Sequence, residues 1–268
     1  MIYREVSHLT YSTTKAFSHE MRILLSALAL LMLLAHPGFA QRSTFSIELE
    51  AGPLWQSRNE VEIPNDGSAT RFALDRLTGS GPWPGGRLYV GWNPWSRHGF
   101  RILLAPLSLT ETGMSERSIR FAGREYESGR PVEATYTFNS YRLSYRYLLY
   151  PGEQTSVWIG FTAKIRDATI ALEQGPVSSR KDDLGFVPLV HLAGSWEFSP
   201  RWQLGLDADA LAGGPGRAVD AAIEVGYDLS PRWTVQTGYR TVEGGADVEE
   251  VYAFAWLHYP TVSLRWSN

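Results

Sequence analysis

His191 is the side chain in this sequence best positioned to do chemistry. A turn at Ser199-Pro200-Arg201 that pairs Phe198 with Trp202 sets Glu197 opposite Gln203, Ala193 opposite Asp207 and His191 opposite Asp209. A histidine oriented by an aspartate is half of a nucleophilic triad, and Ser195 shares their face. Ser195 lies four strand residues away, however, about 13 Å at roughly 3.3 Å per residue, beyond reach of proton transfer. The nucleophile would have to come from elsewhere. The pair His191 and Asp209 therefore reads first as a packed interior contact, with catalysis as the alternative.

Other chemistries find less support. His98, His191 and His258 fall on different segments without metal-ligand spacing. Gly81-Pro-Trp-Pro-Gly-Gly86 and Gly213-Gly-Pro-Gly216 match no phosphate loop and read as turns. Asp182 and Asp183, after Arg180 and Lys181, read as a solvated loop without the spaced oxygens of a calcium site. With no cysteine, thiolate ligands and cysteine nucleophiles are excluded, and no motif calls for a cofactor or a metal. What remains is charge. Arg142, Arg146, Lys164 and Arg166 share a face of two neighbouring segments and could form a basic wall, while Arg240 falls diagonal to Asp220 and Glu224, an arrangement suited to a strut.

The elements that must carry these residues are strands. Ten stretches alternate apolar with small, polar or charged residues, most clearly Trp202 to Leu211 and Val219 to Leu229. The connections differ in length. Asn93 to His98, Tyr150 to Thr155, Ser199 to Arg201 and Ser230 to Arg232 are tight, whereas Arg58 to Gly85, Glu111 to Glu133 and Glu173 to Asp183 are long and polar. Phe198-Ser-Pro-Arg-Trp202 and Leu229-Ser-Pro-Arg-Trp233 repeat one hairpin unit, pairing Leu229 with Trp233 in the second. Ile119 to Tyr126 is a candidate hairpin projecting above the membrane, and if it joins the wall the count becomes twelve. Ten strands are expected, with eight or twelve as alternatives. Pro53, Pro106, Pro188 and Pro260 should sit at bulges, rims or strand ends, and Pro260 threatens the register of the last strand.

From Met21, Arg22 and an apolar run, Ile23 to Ala35, lead to His36-Pro-Gly-Phe-Ala40, the order of an export signal peptide over residues 21–40. Residues 1–20 read as an extension from a misassigned start, and 41–268 as one domain. The whole chain has 25 basic and 28 acidic side chains; the first forty residues hold Arg4, Lys15 and Arg22 against Glu5 and Glu20, leaving 22 and 26, a net of about -4. That balance gives no support for nucleic-acid binding. Export, unequal loops and strand-end aromatics such as Trp202, Trp233 and Trp266 together turn the apolar stripe outward to lipid. The interior then collects Glu48, Glu50, Arg87, Arg101, Arg142, Arg146, Lys164, Arg166, His191, Glu197, Asp207, Asp209, Asp220, Glu224, Asp228, Arg240 and Arg265. An inward stripe would instead make a soluble, lipocalin-like barrel.

With its leader, ten stripes, repeated Ser-Pro-Arg-Trp turns and a last strand alternating Val262, Leu264 and Trp266, the chain resembles the small bacterial outer-membrane β-barrels, the OmpA- and OmpW-like class, over essentially all of 41–268. Ser267 and Asn268 after Trp266 depart from the aromatic terminus usual in that class. The resemblance implies an all-β, transmembrane, antiparallel up-and-down barrel in the outer membrane of a Gram-negative bacterium. Its partners would be outer-membrane lipid and the barrel-assembly machinery, and its state monomeric. It transfers no activity. A structural or small-solute-permeable, porin-like role is expected first. The alternatives are a lipid- or peptide-hydrolysing barrel enzyme, a surface-binding module using the long loops, or a periplasmic lipocalin-like binder. Outer-membrane lipid A deacylases hold histidine and serine close together on an outward wall, a spacing that His191 and Ser195 lack.

Overall fold

Period-2 alternation sets which way the side chains of each wall strand point between its bulges. The computed structural model describes residues 44–268. The expected extension (1–20), the signal peptide (21–40) and residues 41–43 lie outside the described residues. In chain order the elements are β1 (Thr44–Glu62), β2 (Phe72–Ala73), a helical turn α1 (Asp75–Thr78), β3 (Trp83–Trp95), β4 (His98–Ala105), β5 (Ser108–Met114), β6 (Ile119–Phe121), β7 (Arg124–Tyr126), β8 (Pro131–Pro151), β9 (Thr155–Gln174), β10 (Val177–Ser199), β11 (Trp202–Gly213), β12 (Gly216–Ser230), β13 (Trp233–Val248) and β14 (Val251–Ser267).

The wall strands pair antiparallel with their neighbours, and β14 returns to β1 to close the barrel. β4 and β5 both pair with β8 and are two halves of one strand, so the wall has ten strands. The break falls at Pro106-Leu107, where the Leu107 amide donates to Asn139 Oδ1 at 3.0 Å and the Phe138 amide to the Leu107 carbonyl at 2.8 Å. Pro53 and Pro260 share one gap in the β1–β14 pairing, which resumes on both sides in the same register, so Pro260 shifts nothing.

Large apolar side chains stand outward: Leu49 is 60% exposed and Val262 59%, with Leu143, Phe161, Leu192 and Leu206 alike. The interior is charged, which overturns the lipocalin-like alternative. Trp202 and Trp233 are exposed at the turn end with Trp266 partly so, and Trp55, Tyr239 and Trp256 form a second aromatic band. Trp256 is ten residues above Trp266, which at ~3.3 Å per residue and a tilt of ~40° separates the bands by about 25 Å, the height of a bilayer-spanning apolar belt.

Two expectations about the connections need correction. Glu173 to Asp183 is no loop: β9 and β10 run on to a tight turn at Gly175, because Thr169, Ala171, Lys181 and Ser179 can continue the ladder. Both Ser-Pro-Arg-Trp turns carry a bulge, so Ser199, not Phe198, faces Trp202, and Ser230, not Leu229, faces Trp233. The β6–β7 hairpin forms as its own two-stranded sheet outside the wall, so it adds no strand to the ten, and it folds over the barrel mouth. Ile119, Phe121 and Tyr126 pack with Leu54, Val61, Phe72, Leu74, Leu77, Val132 and Leu172 in an apolar core at the barrel mouth. Burying those rings is what turns the hairpin inward.

α1 seals the edge that β5 leaves open, and Gly113 is where it sits: a Cβ there would collide with the backbone of Leu77. Gly113→Val is expected to lift α1 and speed proteolytic cleavage within 63–82 while the barrel keeps its gel mobility; cleavage at the wild-type rate would show that α1 is not held by this contact.

Candidate functional site

A layer of ion pairs crosses the barrel between its turn end and the mouth. Asp220 accepts from Arg87 at 2.7 Å, Arg142 at 2.6 Å and Arg240 at 2.8 Å. Arg240 also grips Glu50 through two nitrogens at 3.0 and 2.9 Å, Arg142 reaches Asp209 at 2.8 Å, and Arg101 holds Asp207 at 2.6 and 3.0 Å. Four arginines thus meet four carboxylates, all in strands that alternate these residues inward. Glu224 stands 4.0 Å from Arg240. Glu48, Glu50 and Glu224 bring carboxylate oxygens within 4.8 Å of one another, but Arg240 occupies both oxygens of Glu50, so the group belongs to the ion-pair layer.

His191 Nδ1 lies 2.9 Å from Asp209 Oδ1, which also accepts from Thr162 at 2.8 Å. Both partners are buried, and Ser195 bonds instead to Ser156 at 2.7 Å. Among the described residues no hydroxyl is hydrogen-bonded to His191, which Asp209 ties into the layer. His98 and His258 stand apart from it, His98 against the Tyr145 hydroxyl at 2.8 Å.

The four basic residues read as a wall divide among separate tasks. Arg142 is neutralised by Asp209 and Asp220; Arg146 lies over the Trp158 ring, 5.1 Å from its centroid; Arg166 pairs with Asp183. Lys164 differs from all of them. It is 3% exposed, and its ammonium has no carboxylate or hydrogen-bond partner among the described residues, only the Phe138 ring at 4.7 Å. Asp182, on the extension of β10 and not in a loop, is pulled down to about 2 by the Arg180 guanidinium, and then by Thr169. It is engaged away from Lys164.

Lys164 borders a cavity of about 370 Å³ between the ion-pair layer and the mouth, walled largely by Tyr136, Phe138, Ile170, Val187, Val251 and Ala253 and edged by Arg166 and Lys181. The cavity reaches the wall where pairing stops. β10 and β11 are joined from Ser199 opposite Trp202 up to Val190 opposite Ala210, after which β10 continues to Val177 paired with β9 alone. Phe186, Pro188 and Leu211 line the cavity at this seam. Pro188 fits such an edge because an unpaired strand does not need its missing donor. Backbone left unpaired toward lipid is costly, so the seam favours water or a bound polar group beside it. Sequence reasoning found Lys164 but not its isolation, which depends on where Asp209 and Asp220 point from the far side of the lumen.

Among solved structures, the chain is similar to the outer membrane protease OmpT from Escherichia coli, at 10% identity over 85% of this chain and 99% of that one, with a TM-score of 0.53. It also aligns with the attachment invasion locus protein Ail of Yersinia pestis (9% identity, 85% and 100% covered, TM-score 0.37) and with Neisserial surface protein A (11%, 84% and 99%, TM-score 0.36). No family model matches the chain, and no curated protein matches its sequence. At such identities the likeness to OmpT establishes fold, and that fold is the small outer-membrane β-barrel.

Proposed function

We propose that the protein resides in the bacterial outer membrane as a monomeric barrel, termini toward the periplasm, exported by a cleaved leader and inserted by the barrel-assembly machinery. Its lumen is closed to through-flow, and the upper cavity takes an amphiphile with an anionic head and an apolar tail through the β10–β11 seam. Lys164 carries this reading. An isolated buried ammonium is costly unless an opposite charge meets it, and here it faces an apolar cavity within the usual size range of small-molecule sites. The seam begins at Leu189, and Phe186 lies ten residues above Trp196, which puts the opening at the height of the outer leaflet. The ion-pair layer below supports a structural role for the lower barrel and argues against a porin-like pathway.

Fractionation should recover the protein in the outer membrane with a boiling-dependent gel shift; a soluble protein without a shift would overturn the placement. In nanodiscs, dansyl-undecanoate should bind saturably, and Lys164→Met should weaken it about ten- to a hundredfold, the worth of a hydrogen bond to a charged group. Binding of the corresponding dansyl alcohol should be unchanged. Unsaturable partitioning, equal in both proteins, would overturn the cavity's role.

A further inference from the structure

Closing β14 on β1 brings Ser57 to His258, which the β13–β14 hairpin already sets beside Tyr239, on the outside of the wall. Ser57 Oγ lies 2.7 Å from His258 Nε2, and the Tyr239 hydroxyl lies 2.5 Å from His258 Nδ1. The order is that of a nucleophile, a base and an orienting group, each ring nitrogen turned to a different partner. A bulge produces it. The register pairs Gln56 with Leu257 and Arg58 with Trp256, leaving Ser57 without a partner on β14 and aimed outward beside His258. Bulges commonly re-aim a side chain in this way next to active sites.

The three residues are accessible: Ser57 and Tyr239 are exposed and His258 is partly so. They sit in the upper aromatic band, between Trp55 and Trp256, with His258 eight residues above Trp266. At that height the wall meets the ester linkages of outer-leaflet lipids, an assignment that rests on the outer-membrane placement above. A serine in plain hydrocarbon contact would have little use for a base; at the interface, acyl ester and water are both within reach.

We propose that Ser57 and His258, oriented by Tyr239, hydrolyse acyl esters of membrane lipids. Ser57 Oγ attacks the ester carbonyl while its proton passes to His258 Nε2; the carbon–oxygen bond to the alcohol breaks, and the leaving oxygen takes that proton from His258. Water, deprotonated by the same nitrogen, then attacks the Ser57 ester, releasing a fatty acid and restoring the serine hydroxyl. His258 carries the proton in both halves, and Tyr239 accepts from Nδ1–H so that Nε2 is the free base.

The test uses the full mature chain in phospholipid nanodiscs, with a fluorophosphonate probe and release of fatty acid from the host phospholipid as readouts. A probe adduct mapping to Ser57 is expected, with fatty-acid release falling about 10²- to 10⁴-fold in Ser57→Ala and in His258→Gln. Tyr239→Phe is expected to lower kcat at unchanged KM, as loss of orientation would. Each variant is checked for the boiling-dependent shift, so that failed folding is not taken for lost activity. Folded wild-type protein that neither labels at Ser57 nor releases fatty acid, or release undiminished in folded Ser57→Ala, would overturn the proposal and leave the three as a polar contact in the aromatic band.

Discussion

Asp220→Ala is expected to destabilise the barrel by about 3–5 kcal/mol, the cost of leaving buried charge uncompensated. Asp220 is 3% exposed and accepts hydrogen bonds from Arg87, Arg142 and Arg240, which arrive from three different strands. Without it, Arg142 retains Asp209 and Arg240 retains Glu50, but Arg87 keeps only a 3.5 Å approach to Glu50. One carboxylate thus ties β3, β8 and β13 to β12 across the lumen. Urea unfolding in detergent micelles, followed by the gel shift, should give an earlier midpoint for Asp220→Ala and a smaller loss for Asp220→Asn, which keeps an acceptor. An unmoved midpoint would mean that water enters the layer and screens the arginines, and the lumen would then be open enough to conduct.

Phe121→Ala should cost the cap about 3–5 kcal/mol, in line with emptying a buried aromatic site. Phe121 is fully buried and meets Phe72 edge to face at 6.1 Å, and its carbonyl accepts from Ser179 Oγ at 3.1 Å. The nearby Tyr126 hydroxyl donates to the Leu172 carbonyl at 2.9 Å. The hairpin is therefore held by its apolar underside and by β9 and β10, not by wall pairing. Hydrogen exchange should quicken across 115–130 in the variant while the wall amides of β11 to β13 stay protected, as expected when a locally folded unit opens by itself. Unchanged exchange across 115–130 would show that the ring contributes little and that the hairpin's polar ties hold the cap.

Faces were readable along the chain because side-chain direction in a strand is local. Inward Asp220, Glu224 and Arg240 and outward Ile223 and Tyr239 follow from alternation, and the tight turns supplied register for β10–β11 and β12–β13 to within one bulge. His191 opposite Asp209 and Ala222 opposite Arg240 came from counting back from those turns. Counting could not supply Glu50 as the second partner of Arg240, because β1 and β13 are not neighbours in the wall. Nor could it place Ser57 beside His258. That meeting needs closure of β14 on β1 and a bulge whose extra residue is defined only against its partner strand. Ile119, Phe121 and Tyr126 announced a hairpin, but only the apolar mouth of the barrel gave their rings a place to be buried.

By itself the sequence determined the strands, their two faces, most turns and a charged interior, since each depends on residues a few positions apart. Tertiary structure decided closure at ten strands, the partners of each interior charge, the inward cap, the seam at β10–β11 and the outward Ser57–His258–Tyr239 contact. Those depend on how circumference and stagger bring distant strands together across the lumen or around the wall, and a period of two carries no information about either.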